Sequence, residues 1–560
     1  MEPETTHRPA APARDPVAPR RLRRLAVAPE GFGSTTVARC VAAMTALGLL
    51  ARLARYAQGL PFWSDECFLA SNFLGRGFLG LAKPLDNGQV APLAFLWVER
   101  AAVLALGFSE WSLRLFPLLC GLASVVLFAF VARRALSGPA TAAAVAIFAV
   151  SVHPIRHAAE VKPYASDAFA ALVLLAPALA WLERRDGSWR LWLLLGLLPP
   201  CLAFSNPAVF AAGGILVGLA VPVWRTGRAK ERGALVCCGL MLAGLTLAFH
   251  MGFGASQSAA AIEGLRRYWS PGFPPLDEPA KVPGWLLGAL TGSVFAYPGG
   301  GAKGASAATS LACLVGAIAL ARRGRGAMVV ALSAPLGLNL IAAGLQRYPF
   351  GPEARLAQYA APTIGILAGA GVGTLLESIR RPRLRRAVAI AGLAGMVACA
   401  IVPQVHSWRH PYRMPHDREA REFARTFWPE LSRDAVVACA HLDFGLERPG
   451  TWQGQRAWYL CNQAVWSPSR RAGGPRLDEV SDDRPLRCVL FNEDPSRPEI
   501  AAWLARMRSD YRLRSTREIP VRSTFGDQGR IVVETWRVYE FTPLPSKAAS
   551  VPTNPGEIPG

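Results

Sequence analysis

Between Val37 and Pro403 the apolar residues fall in blocks of about 15 to 22, separated by short Arg-rich or Pro/Gly-rich loops. Blocks of that length cross the hydrocarbon core of a bilayer, about 30 Å thick. Segments such as Leu118–Val131 and Leu235–Phe249 carry almost no polar side chains, whereas a soluble helix of that length needs a polar face. The pattern predicts an α-helical polytopic membrane protein with about 11 transmembrane helices.

The charge is distributed accordingly. Residues 404–560 hold 23 basic and 20 acidic side chains, so about +19 of the formal +22 lies on residues 1–403. A nucleic-acid binder would carry its excess on a basic soluble domain with interleaved aromatics, so no nucleic-acid partner is expected. Arginine held on the cytoplasmic side of membrane spans accounts for the excess.

Residues 1–36 read as a disordered basic cytoplasmic tail, rich in Pro, Ala and Arg. The spans are expected at 37–55, 112–131, 140–152, 168–182, 191–204, 208–224, 234–253, 307–321, 327–345, 359–376 and 387–402. Residues 91–107 are apolar too, but Glu99 and Arg100 sit at their centre, where ionisable groups are costly in a membrane. They are expected to lie at the outer surface, within a first outer loop of residues 56–111. With that choice the basic loops at 133–134, 183–190, 225–232, 322–325 and 380–386 all face the cytoplasm, as the positive-inside pattern requires. A second short apolar piece, 284–296, is placed in another outer segment.

Residues 404–543 are expected to form a small extracytoplasmic α/β domain, with helices at 416–431 and 498–511 and strands at 435–440, 488–491 and 530–541. A Pro-rich disordered tail, 544–560, follows. Cys439, Cys461 and Cys488 fall in this domain, where an oxidising compartment would permit a disulfide. No Cys/His spacing suits zinc, so no metal site is assigned.

This topology gathers ionisable residues on the outer face beside span ends: Asp65, Glu66, Lys83, Asp86, Glu160, Lys162, Tyr164, Arg347, Tyr348 and Arg355. A cluster of acids and bases supplied by separate loops at one interface is how an interfacial active site would look. The bland readings are a helix cap at Ser64 or Asp65, a solvated loop at Glu160 and Lys162, and a headgroup anchor at Arg347 and Tyr348.

Four stretches carry a resemblance. They are WSDECFLASNFL, the segment from APLAFLWVER through FVARRAL, HAAEVKPYASDAF, and RYPFGPEARLAQYAAP. In this order and on one face they resemble polytopic glycosyltransferases of the GT-C fold, the protein O-mannosyltransferase and aminoarabinose transferase group, over about residues 37–380. The resemblance implies a GT-C-like catalytic domain at 37–403 in a bacterial inner membrane, with a sugar donor on polyprenyl phosphate and a lipid, glycan or protein acceptor. It implies Asp65 as general base, Glu66 positioning Asp65 or the acceptor, and Glu160 as a second acid that orients the acceptor or restrains a basic partner. Lys83, Asp86, Gln89, Lys162, Tyr164, Arg347, Tyr348 and Arg355 would bind substrate. The family often carries a basic residue where this chain has Gln89-Val90-Ala91, which shifts the expected phosphate contact to Arg355 or Arg347. No cofactor is expected; a divalent metal such as Mg²⁺ on the outer-face acids stays open, without a clear ligand set. The alternative class is a transporter or flippase of lipid-linked sugars, which would place its charges inside the spans.

Overall fold

The computed structural model describes residues 34–185, 187–226, 228–249, 251, 259–301, 304, 306–409, 415–430, 436–439, 461, 462, 464–466, 486–490, 498–525 and 530–544. Both expected tails lie outside these residues, apart from a few at their inner edges, as does most of 404–497.

Each apolar block forms a helix. The first is α1 (Ser34–Ala57). Two short helices, α2 (Ser64–Ala70) and α3 (Asn72–Gly75), and the longer α4 (Leu93–Leu106) make up the first connecting segment. The chain continues through α5 (Glu110–Ala135), α6 (Pro139–Val150), α7 (Val152–His157), α8 (Tyr164–Arg184), α9 (Trp189–Phe204), α10 (Ala208–Thr226) and α11 (Ala229–Phe249). The segment that follows holds α12 (Ala259–Tyr268) and α13 (Val282–Thr291). Then come α14 (Ala307–Arg322), α15 (Gly326–Gly344), α16 (Ala361–Ser378) and α17 (Pro382–Arg409).

All 11 expected spans therefore coincide with helices, and the two apolar pieces set apart from them are the separate helices α4 and α13. Among the described residues, 7 helices are long and apolar enough to cross a membrane by length and composition; α6, α9 and α14 are apolar but shorter. At 1.5 Å per residue the 12 residues of α6 cover only about 18 Å, and α7 follows it after a single residue.

The core runs along α8 and α16, whose apolar windows are 78% and 83% buried, while α1 and α11 lie at the periphery with 17% each. α16 meets α6 and α14 through small residues. Gly373 faces Ala140, Gly369 faces Ala144, and Gly371 lies against the Ala312 carbonyl, so a Cβ at any of them would collide. Close backbone approach through small residues is the usual means of packing helices in lipid, where apolar burial between helices gains little. Leu50, Val126, Phe130, Leu240 and Leu311 stay exposed on the outer helices, an apolar surface that lipid solvates and water does not.

The two ends of the bundle differ in charge. At one end the basic loops touch one another: Arg134 reaches Glu183 at 4.0 Å, Arg228 donates to the Arg185 carbonyl at 3.3 Å, and Arg323 pairs with Glu377 at 2.5 Å. Arg325 from the α14–α15 turn bonds the Ala135 carbonyl. The first connecting segment and the loops after α7 and α15 meet at the opposite end.

The C-terminal part contains α18 (Pro415–Glu430), β1 (Val436–Cys439), β2 (Leu486–Leu490), α19 (Pro498–Asp510), β3 (Tyr511–Phe525) and β4 (Arg530–Pro543). The sheet order is β1-β2-β4-β3, with β1 parallel to β2 and the other pairs antiparallel. Trp503 of α19 packs edge-on against Tyr539 and Phe541 of β4. Strand β3 was not expected. Arg512, Arg514 and Arg517 interrupt its apolar pattern, and it is the outer strand of the sheet, where exposed charges are tolerated. Cys461 is a free, buried thiol, so it forms no disulfide; the side chains of Cys439 and Cys488 lie outside the described residues. The Cys461 Sγ lies 3.8 Å from the Cys67 carbonyl, and Val465 packs on the cluster of Phe62, Leu69 and Phe73. These contacts set Cys461 and Val465 against the first connecting segment, at the less basic end of the bundle.

Candidate active site

The site is built on α2. Trp63 takes the N-cap position and its N–H donates to Glu66 Oε2 at 3.2 Å. The N-cap is thus Trp63, with neither Ser64 nor Asp65 at that position, and Glu66 at the third helical position caps the Trp63 N–H. Glu66 is also the hub of a buried tie. Arg114 of α5 donates Nε to Oε1 at 2.9 Å and Nη2 to Oε2 at 2.6 Å, and the Val161 N–H donates to Oε1 at 2.7 Å. Arg114 also bonds the Leu60 and Pro61 carbonyls and lies over the Phe62 ring. Both side chains are about 5% exposed or less. The paired geometry and the extra donors satisfy the carboxylate, which a buried ion pair needs if it is to persist.

That tie fixes two neighbours, Asp65 and Lys162, against each other. Lys162 Nζ donates to Asp65 Oδ1 at 3.1 Å and to Gln89 Oε1 at 2.7 Å. Arg355 Nη1 donates to Asp65 Oδ2 at 2.6 Å. The Asp65 side chain keeps 21% of its surface exposed, while the two cations are 7% and 8% exposed. Arg355 lies within a 3-10 turn, Ala354–Ala360, before α16. Its Nη2 donates to Glu353 Oε1 at 3.1 Å, and its Nε approaches Glu353 Oε2 at 2.6 Å as an ion contact without hydrogen-bond alignment.

Glu160 sits behind this centre. It accepts from Arg156 Nε at 2.8 Å and meets His157 Nδ1 at 2.7 Å, and the Lys162 N–H donates to its backbone carbonyl at 2.8 Å. Tyr164 lies edge-on to His157, 4.9 Å between ring centres. Burial, followed by the charges of His157 and Arg156, pushes His153 down to about 3, so its ring is neutral.

The expected site residues thus separate. Asp65, Gln89, Lys162 and Arg355 meet directly, and Glu66 and Glu160 brace them. Tyr348 donates to the Leu356 carbonyl at 3.2 Å and supports the turn carrying Arg355. Lys83 and Arg347 are exposed, and Asp86 pairs with Arg76 at 2.6 Å. Arg114, His157 and Arg156 were not singled out in advance. Arg114 could have been found, because an arginine in the second turn of an apolar span requires a partner. Among the described residues no group of three or more His, Cys, Asp or Glu is placed to hold a metal ion.

Residues 90–248 match the family described as dolichyl-phosphate-mannose-protein mannosyltransferase. The match lies inside the stretch on which the GT-C resemblance rests, and it contains Lys162, Glu160 and Arg114. No curated protein matches the chain. Among solved structures, the chain is similar to ArnT from Cupriavidus metallidurans in the apo state, at 12% identity and a TM-score of 0.48, over 89% of this chain and 97% of that one. The same protein bound to undecaprenyl phosphate gives 13% identity and 0.47, over 88% and 97%. The archaeal oligosaccharyltransferase AglB from Archaeoglobus fulgidus, in complex with an inhibitory peptide and a dolichol-phosphate, gives 12% and 0.47, over 88% and 74%.

Proposed function

We propose that the chain is an integral-membrane glycosyltransferase that moves a sugar from a polyprenyl-phosphate donor to an acceptor hydroxyl, with inversion, and that Asp65 is the general base. The observation that carries this reading is the pairing of one partly exposed carboxylate with two buried cations from distant loops, at one end of an apolar bundle. The family match supports the donor class, since that family is described by a dolichyl-phosphate sugar donor.

The chemistry needs few groups. Phosphate is a good leaving group, so the general acid that glycoside hydrolysis requires is dispensable. What remains is a base for the acceptor proton and cations for the departing phosphate. In this reading Lys162 and Arg355 bind the donor phosphate. As they turn toward it they release Asp65, whose oxygens are then free to accept from the acceptor hydroxyl. The acceptor oxygen attacks the anomeric carbon, the carbon–oxygen bond to phosphate breaks, and Asp65 takes the acceptor proton. The guanidinium fork of Arg355 suits two phosphate oxygens. In this reading the basic end of the bundle lies in the cytoplasm, in keeping with the positive-inside pattern, and the site lies on the outer face of a bacterial inner membrane.

The test compares lipid-linked sugars and surface glycans, by mass spectrometry, in cells with and without the protein. The reading expects loss of one glycan decoration and accumulation of its polyprenyl-phosphate sugar. Identical profiles in both would refute it.

A further inference from the structure

Arg355 is held in two different ways. Two of its N–H groups donate to carboxylates, Nη1 to Asp65 at 2.6 Å and Nη2 to Glu353 at 3.1 Å, while Nε lies 2.6 Å from Glu353 without hydrogen-bond alignment. The guanidinium carbon also lies over the indole ring of Trp269, 5.3 Å from its centre. The carboxylate contacts occupy donors that a phosphate would need, and the ring contact is separate from them.

Trp269 is itself anchored. Its N–H donates to the Leu265 carbonyl at 3.0 Å, closing the end of α12, and its carbonyl accepts from the Gly272 N–H at 2.8 Å. Gly272 then joins this segment to the one carrying Arg355, because its carbonyl accepts from the Phe350 N–H at 2.8 Å. A Cβ at Gly272 would fall 2.6 Å from Pro349 and 2.7 Å from Pro352, so only glycine allows the two segments to lie this close. Trp285 adds a second tie, donating Nε1 to the Pro271 carbonyl at 2.9 Å and packing against Phe350. The Tyr268 ring stands edge-on to Trp269 at 4.8 Å. The indole is thus fixed relative to the backbone that bears Arg355.

We propose that Trp269 is a positioning residue for the donor phosphate: its ring holds the Arg355 guanidinium while the N–H groups pass from Asp65 and Glu353 to phosphate oxygens. The proposal rests on the reading of Arg355 as a phosphate ligand and adds to it the group that keeps the fork in place during the exchange. An arginine whose only restraints were Asp65 and Glu353 would lose its orientation as soon as it released them. A guanidinium held over an aromatic ring keeps it.

The experiment titrates a polyprenyl monophosphate, without sugar, into the full-length protein in phosphatidylcholine nanodiscs. The wild type is compared with Trp269→Phe, Trp269→Leu and Arg355→Ala, and the melting temperature of each ligand-free variant is recorded. Phe keeps an aromatic face and Leu keeps apolar bulk without one. The expected result is an affinity for Trp269→Leu weakened about tenfold, in line with a partly desolvated cation–π contact. Trp269→Phe should stay within about threefold of wild type, and both variants should melt as the wild type does. Loss of binding in Arg355→Ala with wild-type binding in Trp269→Leu would overturn the role of Trp269 and leave the phosphate reading intact. Equal weakening in the Leu and Phe variants would also overturn it, since shape alone would then be at work. Absence of saturable binding by the wild type, or unchanged binding by Arg355→Ala, would overturn the phosphate reading and this proposal with it.

Discussion

Arg355 and Asp65, 290 residues apart in the chain, close to 2.6 Å at the end of the bundle opposite its basic loops. The distance matters because the same carboxylate also meets Lys162 at 3.1 Å. Two cations occupy this carboxylate until something else takes them. A phosphate-bearing donor is such a partner, so this pairing makes the order of events testable.

Replacing Arg355 by Ala should weaken the donor far more than the acceptor. A hydrogen bond to a charged group is worth about 1.5–3 kcal/mol, which corresponds to roughly a 10- to 150-fold rise in the donor KM. Steady-state kinetics with each substrate varied in turn checks this. An unchanged donor dependence rules out Arg355 as the phosphate contact.

The Glu66–Arg114 pair should behave as a brace. Removing one partner of a buried pair leaves the other charge uncompensated, at a cost of about 3–5 kcal/mol. Glu66→Gln and Arg114→Met should therefore each lower the melting temperature and the turnover. Combining them should recover part of the stability, because no lone charge remains. Simple additivity of the two losses would show that the pair does not act as a unit.

His153 supplies a pH dependence. Its folded value of about 3 lies below the ordinary 6.5. Below pH 6.5 the unfolded chain binds a proton that the folded chain refuses, so stability falls as pH drops from about 6.5 toward 3. The slope from this one group is at most about 1.4 kcal/mol per pH unit. Thermal melts of wild type and His153→Gln across that range check it, and the variant should show the shallower decline. Equal slopes would remove His153 from the account.

The placement of the two ends can be checked by labelling. A cysteine replacing the exposed Lys83 should react with an impermeant maleimide in intact cells. One replacing Arg323, at the basic end beside Glu377, should react only after permeabilisation. The reverse pattern would invert the topology.

Much of the fold was legible because membrane helices are apolar on all sides, which leaves a signal that needs no knowledge of neighbours. The ionisable centre of residues 91–107 separated α4 from the spans for the same reason. Charge in the loops assigned the ends, and the structure gathers those basic loops together. Asp65, Lys162 and Arg355 were placed on one face by counting spans, but spacing could not show that they touch. The bracing residues were less visible. Arg114 meets Glu66 across 48 positions, and Trp269 meets Arg355 across α13, α14 and α15; neither pairing leaves a local pattern. Lys83, Asp86 and Arg347 share the face without reaching the centre, which a face assignment alone cannot distinguish. Strand β3 was hidden by its arginines, because an exposed outer strand need not show apolar alternation.

The central claim is that Asp65 removes the acceptor proton during transfer from polyprenyl phosphate. The most direct measurement is a single-turnover assay of purified wild-type and Asp65→Asn protein in nanodiscs, with the polyprenyl-phosphate sugar found to accumulate in cells lacking the protein. Asn preserves the shape of the side chain and removes its basicity. The account predicts a rate reduced about 10²- to 10⁴-fold, with donor binding retained. Wild-type turnover by Asp65→Asn would contradict it.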